Sequence, residues 1–280
     1  MHQKYILCSE CGKMYRIGEK VFRCPRCGGS LEVVFDYKKI RGLTWKKLRG
    51  RPFNHSRYRE LYPVDRLVSI QEGGTPLVRS ANIERKGKLP FKVWFKYEAQ
   101  NPTGSFKDRG SSIEIARALE AGAKKVMCAS TGNMGASVAA YSGIANLDCV
   151  IFTPKDAAKV KMEQILAYGA RVYHITGDYT AAARMVEAAC KKFGFYLLGD
   201  YLWRREGTKS VGFEIADQML GSGEKIPDYV VCPIGNGTLI SAVWKAFREL
   251  RHLGLIRKLP RMLGVQAAGC QPVCRAFRKG

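Results

Sequence analysis

Lys107 stands inside the stretch 101–110, NPTGSFKDRG, whose residue types allow it a chemical use. Asn-Pro and Gly104 turn the chain, Ser105 is the expected N-cap, and Asp108 falls in a first helical turn. A lysine at that point is misplaced against the helix dipole. Set among Gly104, Ser105 and Phe106, it can be a partly buried amine of lowered pKa, the state that condenses with an aldehyde. The same ten residues also describe an exposed loop lysine, and by themselves they do not choose.

A second group lies at the start of the chain. Cys8-x2-Cys11 and Cys24-x2-Cys27 are each followed by a glycine, Gly12 and Gly28, as in two tight knuckles. Four thiolates so spaced can surround one tetrahedral zinc, which a ribbon too small to bury a core needs. KMYRIG and KVFRCP are expected to supply its short strands. A redox or iron site is the alternative. The other six cysteines are dispersed and read as buried thiols, and four histidines are too few for a multi-histidine centre.

Two glycine-rich turns complete the set. ASTGNMGAS, 129–137, follows a strand and opens a helix; its amides and the hydroxyls of Ser130 and Thr131 make a nest for a carboxylate. PIGNGTL, 233–239, has the same strand-loop-helix form and, with the Thr238 hydroxyl, would hold a phosphate. It matches neither the dinucleotide fingerprint nor the P-loop. Either loop alone also reads as a plain helix-starting turn.

The elements that must position these groups alternate. Helices are expected over 108–121, 133–144, 157–168, 179–193, 207–220 and 238–250, and strands over 91–98, 125–129, 148–152, 171–175, 195–198, 229–232 and 262–266. Short connections between them predict an α/β fold with mostly parallel sheet covered on both faces. The glycine turn EGGTPL, 72–77, precedes a strand, while 35–66 reads as a linker with one or two short helices.

With 280 residues, 46% apolar and 25% charged, the chain can bury a large core in one to two domains. No apolar run reaches membrane-spanning length and residues 1–20 lack a signal peptide's apolar core, so a cytoplasmic location is expected. Forty-seven Lys and Arg against 24 Asp and Glu give a net charge of +23, which draws anions of any kind. The basic residues form no stripe interleaved with aromatics, so nucleic acid is not the expected partner.

Taken together, EGGTPL, NPTGSFKDRG, STGNMGAS, ILAYGARVY, EGTKSVGFEIADQ, VVCPIGNGTLISA and LPRMLGVQAAGCQP resemble the threonine synthase family of fold-type-II pyridoxal-phosphate enzymes. The resemblance covers most of the chain from Glu72 onward, and the ribbon resembles the N-terminal extension of many microbial members. It implies a tryptophan-synthase-β-like fold of two three-layer domains containing parallel sheet. These are expected as a zinc ribbon at 1–36, a linker and first part of the large domain at 37–107, a small mobile domain at 108–198, and the rest of the large domain at 199–280.

By the same resemblance Lys107 carries the cofactor as a Schiff base and shuttles protons, and Asn133 meets the cofactor's ring hydroxyl. Gly235, Asn236, Gly237, Thr238 and Leu239 cradle its phosphate, while Ser130, Thr131 and Gly132 receive the substrate carboxylate. The implied reaction converts O-phosphohomoserine and water to threonine and phosphate by γ-elimination and β-addition, in a homodimer with a structural zinc. Two departures stand out. Gly199 and Asp200 replace a family Asn-Ser pair, so that Asp200 and Arg204 become the candidate substrate-phosphate residues, with Arg204 as the clamp. The chain also stops at Gly280, where members continue and supply the group facing the pyridine nitrogen, so a truncated chain is expected. Alternatives are β-replacement on O-phosphoserine, as in cysteate or cysteine synthase, a serine/threonine dehydratase, and, from another class, a catalytically dead nucleic-acid-binding protein.

Overall fold

The computed structural model describes residues 2–40, 42–155 and 157–279. Three antiparallel strands open the chain in the order β2-β1-β3: β1 (Gln3–Cys8), β2 (Met14–Tyr15) and β3 (Leu31–Phe35). KMYRIG supplies β2 as expected, whereas KVFRCP is irregular. Alternate residues of β3, namely Leu31, Val33 and Phe35, are buried, as the period of a strand requires. With Ile6 and Cys8 they enter a core shared with Leu48, Tyr58, Phe213 and Phe247. The ribbon is thus packed into the body of the protein, not hung from it.

The linker region holds α1 (Trp45–Arg49), where Thr44 accepts from the Lys47 amide at 3.2 Å, a 3-10 turn at Tyr37–Lys39 and a 3-10 stretch at His55–Leu61 that kinks at Tyr58. Next come β4 (Leu77–Arg79), α2 (Ala81–Lys86) and β5 (Trp94–Lys96), with β4 and β5 antiparallel. The strand expected over 91–98 is therefore only its central part.

From there the alternation is regular: α3 (Lys107–Glu120), β6 (Lys125–Ala129), α4 (Asn133–Ile144), β7 (Asp148–Pro154), α5 (Lys159–Ala167), β8 (Arg171–Ile175), α6 (Tyr179–Phe193) and β9 (Tyr196–Leu197). The four strands form one parallel sheet, ordered β8-β7-β6-β9. Its pleat sorts the side chains: Val126, Cys128 and Ile151 pack with α4 and α5, while Met127, Ala129 and Val150 pack with α6.

The chain then continues through α7 (Leu202–Thr208), α8 (Ser210–Gly221), β10 (Tyr229–Pro233), α9 (Thr238–His252), β11 (Arg261–Val265) and α10 (Pro272–Lys279). β10 and β11 pair in parallel. The single helix expected over 207–220 is two, divided at Lys209. Helix α3 ties the two regions together, giving Ile113 and Ala116 to the first core and Ile115 and Ala118 to the second. It meets α7 closely: a Cβ on Gly207 would overlap the Arg109 carbonyl oxygen, and one on Gly110 would lie 2.6 Å from Arg204 Cγ. Among the described residues no helix is long and apolar enough to cross a membrane.

Candidate active site

Lys107 is the first residue of α3. Phe106, not the expected Ser105, holds the cap position, with no side-chain cap bond; Ser105 Oγ accepts from the Lys107 amide at 3.3 Å just ahead of the helix. Asp108 folds back onto the turn before it, accepting from Thr103 N at 2.8 Å and Thr103 Oγ1 at 2.5 Å. Arg109 has no exposed surface; it donates to Glu98 at 2.7 and 2.8 Å, to Glu214 at 2.6 and 2.9 Å, to Ser210 at 3.1 Å and to Thr75 at 3.2 Å. So the residue types after Lys107 are anchors that fix where the helix starts, a role the sequence alone did not separate from surface charge.

The Lys107 side chain is 19% exposed, and Nζ lies 3.2 Å from Asp200 Oδ1. Asp200 Oδ2 accepts from Asn236 Nδ2 at 2.7 Å. Three stretches that are far apart in sequence, around 107, 200 and 236, therefore meet at one carboxylate. Burial pushes the Lys107 amine below its usual pKa, against the opposing pull of Asp200. Burial opposes ionisation of Asp200, but Lys107 and then Arg204 over-compensate and hold its carboxyl below the usual range. Tyr179, at the start of α6, adds a phenol raised by burial and by the charge of Asp200, with Asn236 in hydrogen-bonding reach. Tyr179 carried no sequence signal for this.

Arg204, the candidate clamp, lies in the interior. It has no exposed surface and pairs with Glu114, while also donating to Gly199 O and Lys107 O, each at 3.2 Å, and to Ser111 Oγ at 3.3 Å. Glu114 Oε1 in turn accepts from the Gly199 amide at 2.8 Å. The Arg204–Glu114 pair therefore pins the backbone on both sides of the Lys107–Asp200 contact. Its guanidinium is committed inside the protein, to Glu114, Ser111 and the backbone of Lys107 and Gly199.

The loop after β6 is held by bonds of its own. Ser130 is buried, and its Oγ accepts from Gly132 N at 3.2 Å and Gly135 N at 2.8 Å. Ser130 and Gly132 thus bond to each other, and Thr131 and Asn133 are the exposed members of the loop. The loop after β10 stays open: Gly235 and Asn236 are exposed, Gly237, Thr238 and Leu239 are half-buried, and Gly237 has φ +84° at the start of α9. A Cβ at Gly132, Gly235 or Gly237 would meet nothing within 4 Å.

This arrangement fits pyridoxal phosphate. It offers an amine of lowered pKa, open glycine loops through which backbone can approach a ligand, and the N-terminus of a 15-residue helix for a phosphate. A cavity of about 490 Å³ lies elsewhere, between residues 17–22 and the far end of α3 near Arg117 and Glu120. That end is roughly 20 Å of helix from Lys107, so the cavity belongs to a different place.

In the ribbon, the ligand atoms of Cys8, Cys11, Cys24 and Cys27 all lie within 4.8 Å of one another. Cys8 Sγ is 3.5 Å from Cys27 Sγ, and Cys11 Sγ is 3.6 Å from Cys24 Sγ. A tetrahedral zinc with bonds of about 2.3 Å spaces its sulfurs by about 3.8 Å, so the cluster fits that ion. Both knuckles close through amide bonds, Gly12 N to Cys8 O at 3.1 Å and Gly28 N to Cys24 O at 2.8 Å. Tyr15 Oη lies 3.0 Å from Cys24 Sγ, an outer contact that the cysteine spacing did not announce.

Comparison with known proteins agrees with this geometry. The family described as pyridoxal-phosphate dependent enzyme matches residues 68–280. The chain is 42% identical to the threonine synthase of Methanocaldococcus jannaschii, over 97% of this chain and 67% of that one. It is 41% identical to the threonine synthase of Methanosarcina acetivorans, over 99% of this chain and 68% of that one. It thus spans about two-thirds of the length of these relatives. The fold is similar to that of serine racemase from Dictyostelium discoideum, with a TM-score of 0.63 at 22% identity, over 85% of this chain and 70% of that one. Preceded by a four-cysteine cluster able to hold a metal such as zinc, the chain belongs to the threonine synthase family of pyridoxal-phosphate-dependent enzymes.

Proposed function

We propose that the protein converts O-phosphohomoserine and water to threonine and phosphate. The observation that carries this reading is the meeting of Lys107 with the 233–239 loop through Asp200, with Nζ 3.2 Å from one carboxylate oxygen and Asn236 2.7 Å from the other. Lys107 is the proposed attachment point and proton carrier. It stands on the first turn of a helix held by Asp108 and Arg109, which fix its backbone and leave the four-carbon stem as its flexible part. The amides of Gly235 to Leu239 and the Thr238 hydroxyl seat the cofactor's phosphate, where the α9 dipole favours an anion.

Asn133, at the start of α4, meets the cofactor's ring hydroxyl. The substrate carboxylate is taken by the 130–132 turn, with exposed Thr131 as its foremost donor and Ser130 holding the turn's shape. Bound pyridoxal phosphate supplies an electron sink for the pair released at the substrate's α-carbon. The remaining work falls on the protein: Lys107 removes and returns protons, and the two loops fix carboxylate and phosphate on either side of it. A cytoplasmic homodimer forms part of the proposal; light scattering of the full chain returning a monomer would remove the dimer.

The test measures phosphate release from O-phosphohomoserine, O-phosphoserine and homoserine, with the product identified by mass. Threonine from the first compound, lost in Lys107→Ala, is the expected result. Turnover of O-phosphoserine alone would move the protein to the β-replacement reading, and failure of borohydride to trap cofactor on Lys107 would end both.

A further inference from the structure

We propose that Asp200 is a positioning residue for Lys107, a counter-ion, itself held by Asn236, that keeps the amine charged and parked, so that attachment of pyridoxal phosphate must first break this pair. The inference rests on the proposed attachment at Lys107 and adds to it a role for Asp200. Three observations support it. Both carboxylate oxygens are engaged, Oδ1 with Lys107 Nζ at 3.2 Å and Oδ2 with Asn236 Nδ2 at 2.7 Å. The contact is sheltered, with the Lys107 side chain 19% and that of Asp200 12% exposed, where an ion pair is screened less than at the surface. Its geometry is imposed from behind, because the buried Arg204–Glu114 pair bonds both Lys107 O and the Gly199 peptide.

The groups facing the amine are few. Asp200 approaches from the loop after β9, Arg204 from α7 and Glu114 from α3 itself; Tyr179 of α6 faces Asp200, and the Phe106 ring lies 5.2 Å from Nζ. Arg204 and burial favour the neutral amine, whereas Asp200 and Glu114 favour the ammonium. Arg204 and Glu114 are bonded to each other, which leaves Asp200 as the charge that decides. Attachment requires the neutral form. The ammonium first gives one proton to solvent; Nζ then forms a carbon–nitrogen double bond to the aldehyde carbon, and its two remaining protons leave with the aldehyde oxygen as water.

The experiment follows capture of pyridoxal phosphate by the full-length chain after the cofactor has been stripped, read as the rate of absorbance change across pH, with borohydride trapping and mass to place it on Lys107. Asp200→Asn keeps the shape and the bond to Asn236 but removes the charge. The expected result is a midpoint for capture lower by about one pH unit, hence roughly tenfold faster capture below that midpoint. Asp200→Ser serves as a second variant and should shift the midpoint the same way. An unchanged midpoint in a folded Asp200→Asn protein overturns the proposal. A shift upward, or capture slowed equally at every pH, also overturns it, since either would mark a merely structural role. No capture by the unaltered chain at any pH would instead strike the attachment reading itself, so the two failures are distinguishable.

Discussion

An arginine with no exposed surface cannot leave Glu114 for a passing phosphate without stranding that carboxylate in the interior. Replacing Arg204 by Ala should therefore act first on stability, by about 3–5 kcal/mol in urea denaturation, because one buried charge is left without its partner. A clamp would behave otherwise, raising KM for the phosphorylated substrate at unchanged stability. Acid should find two other buried groups. Burial holds His55 down at about 4, against an ordinary 6.5. Burial would raise Glu214, yet Arg109 and Lys96 bring it to about 2 from 4.5. In both cases the folded pKa is depressed, so the unfolded chain binds protons first as pH falls. Stability present above pH 6.5 is lost through His55 down to about 4, and through Glu214 from about 4.5 down to 2. Urea midpoints measured across pH should fall in both windows, and His55→Gln should flatten the upper one alone.

At the scale of elements, the crossing of α3 and α7 decides how near Lys107 and Asp200 come. A methyl group on Gly207 would strike the Arg109 carbonyl, so Gly207→Ala should cost about 1–3 kcal/mol by overpacking and weaken cofactor capture with it. Gly18→Ala, which meets nothing within 4 Å, should stay within about 0.5 kcal/mol in the same urea assay. This crossing was hidden in the sequence, whereas much around it was legible. Strands β6 and β8 and helices α4 and α6 lie where apolar period and glycine or aspartate punctuation put them, since their packing follows the local pattern. The expected helix over 207–220 omits the start of α7 because the buried face there is charged: Arg204, Glu206 and Lys209 are interior residues with distant partners Glu114, Lys245 and Glu249. Periodicity sees only apolar faces. For the same reason the site loops were readable as loops, but not the inward turn of Ser130 or the burial of Arg204, which depend on residues brought close by the fold.

At the scale of the whole molecule, the cysteine cluster is continuous with the enzyme. Behind it, β3 shares its core with Phe213 and Phe247, and two cations of the body bind its backbone: Lys245 Nζ donates to Val33 O at 2.5 Å, and Arg205 donates to Leu31 O. Lys245 and Lys209 are themselves held by Glu206 and Glu249 in a buried group of four charges, with Phe35 of the ribbon 4.2 Å from Lys209 Nζ. If the ribbon loses its metal, β3 loses the loop closure that sets its register, and these buried charges lose part of their cover. A module merely tethered to the enzyme would melt alone and leave the main transition in place. This one should not. Calorimetry of the full chain should show a single transition that moves to lower temperature on chelation and in Cys24→Ser, with one zinc per chain in protein purified without chelator. Arg205 adjoins Arg204, which bonds Lys107 O, so chelation should also weaken binding of pyridoxal phosphate measured by fluorescence titration. A separate low-temperature transition that vanishes with the metal, at unchanged cofactor affinity, would show instead that ribbon and enzyme fold independently.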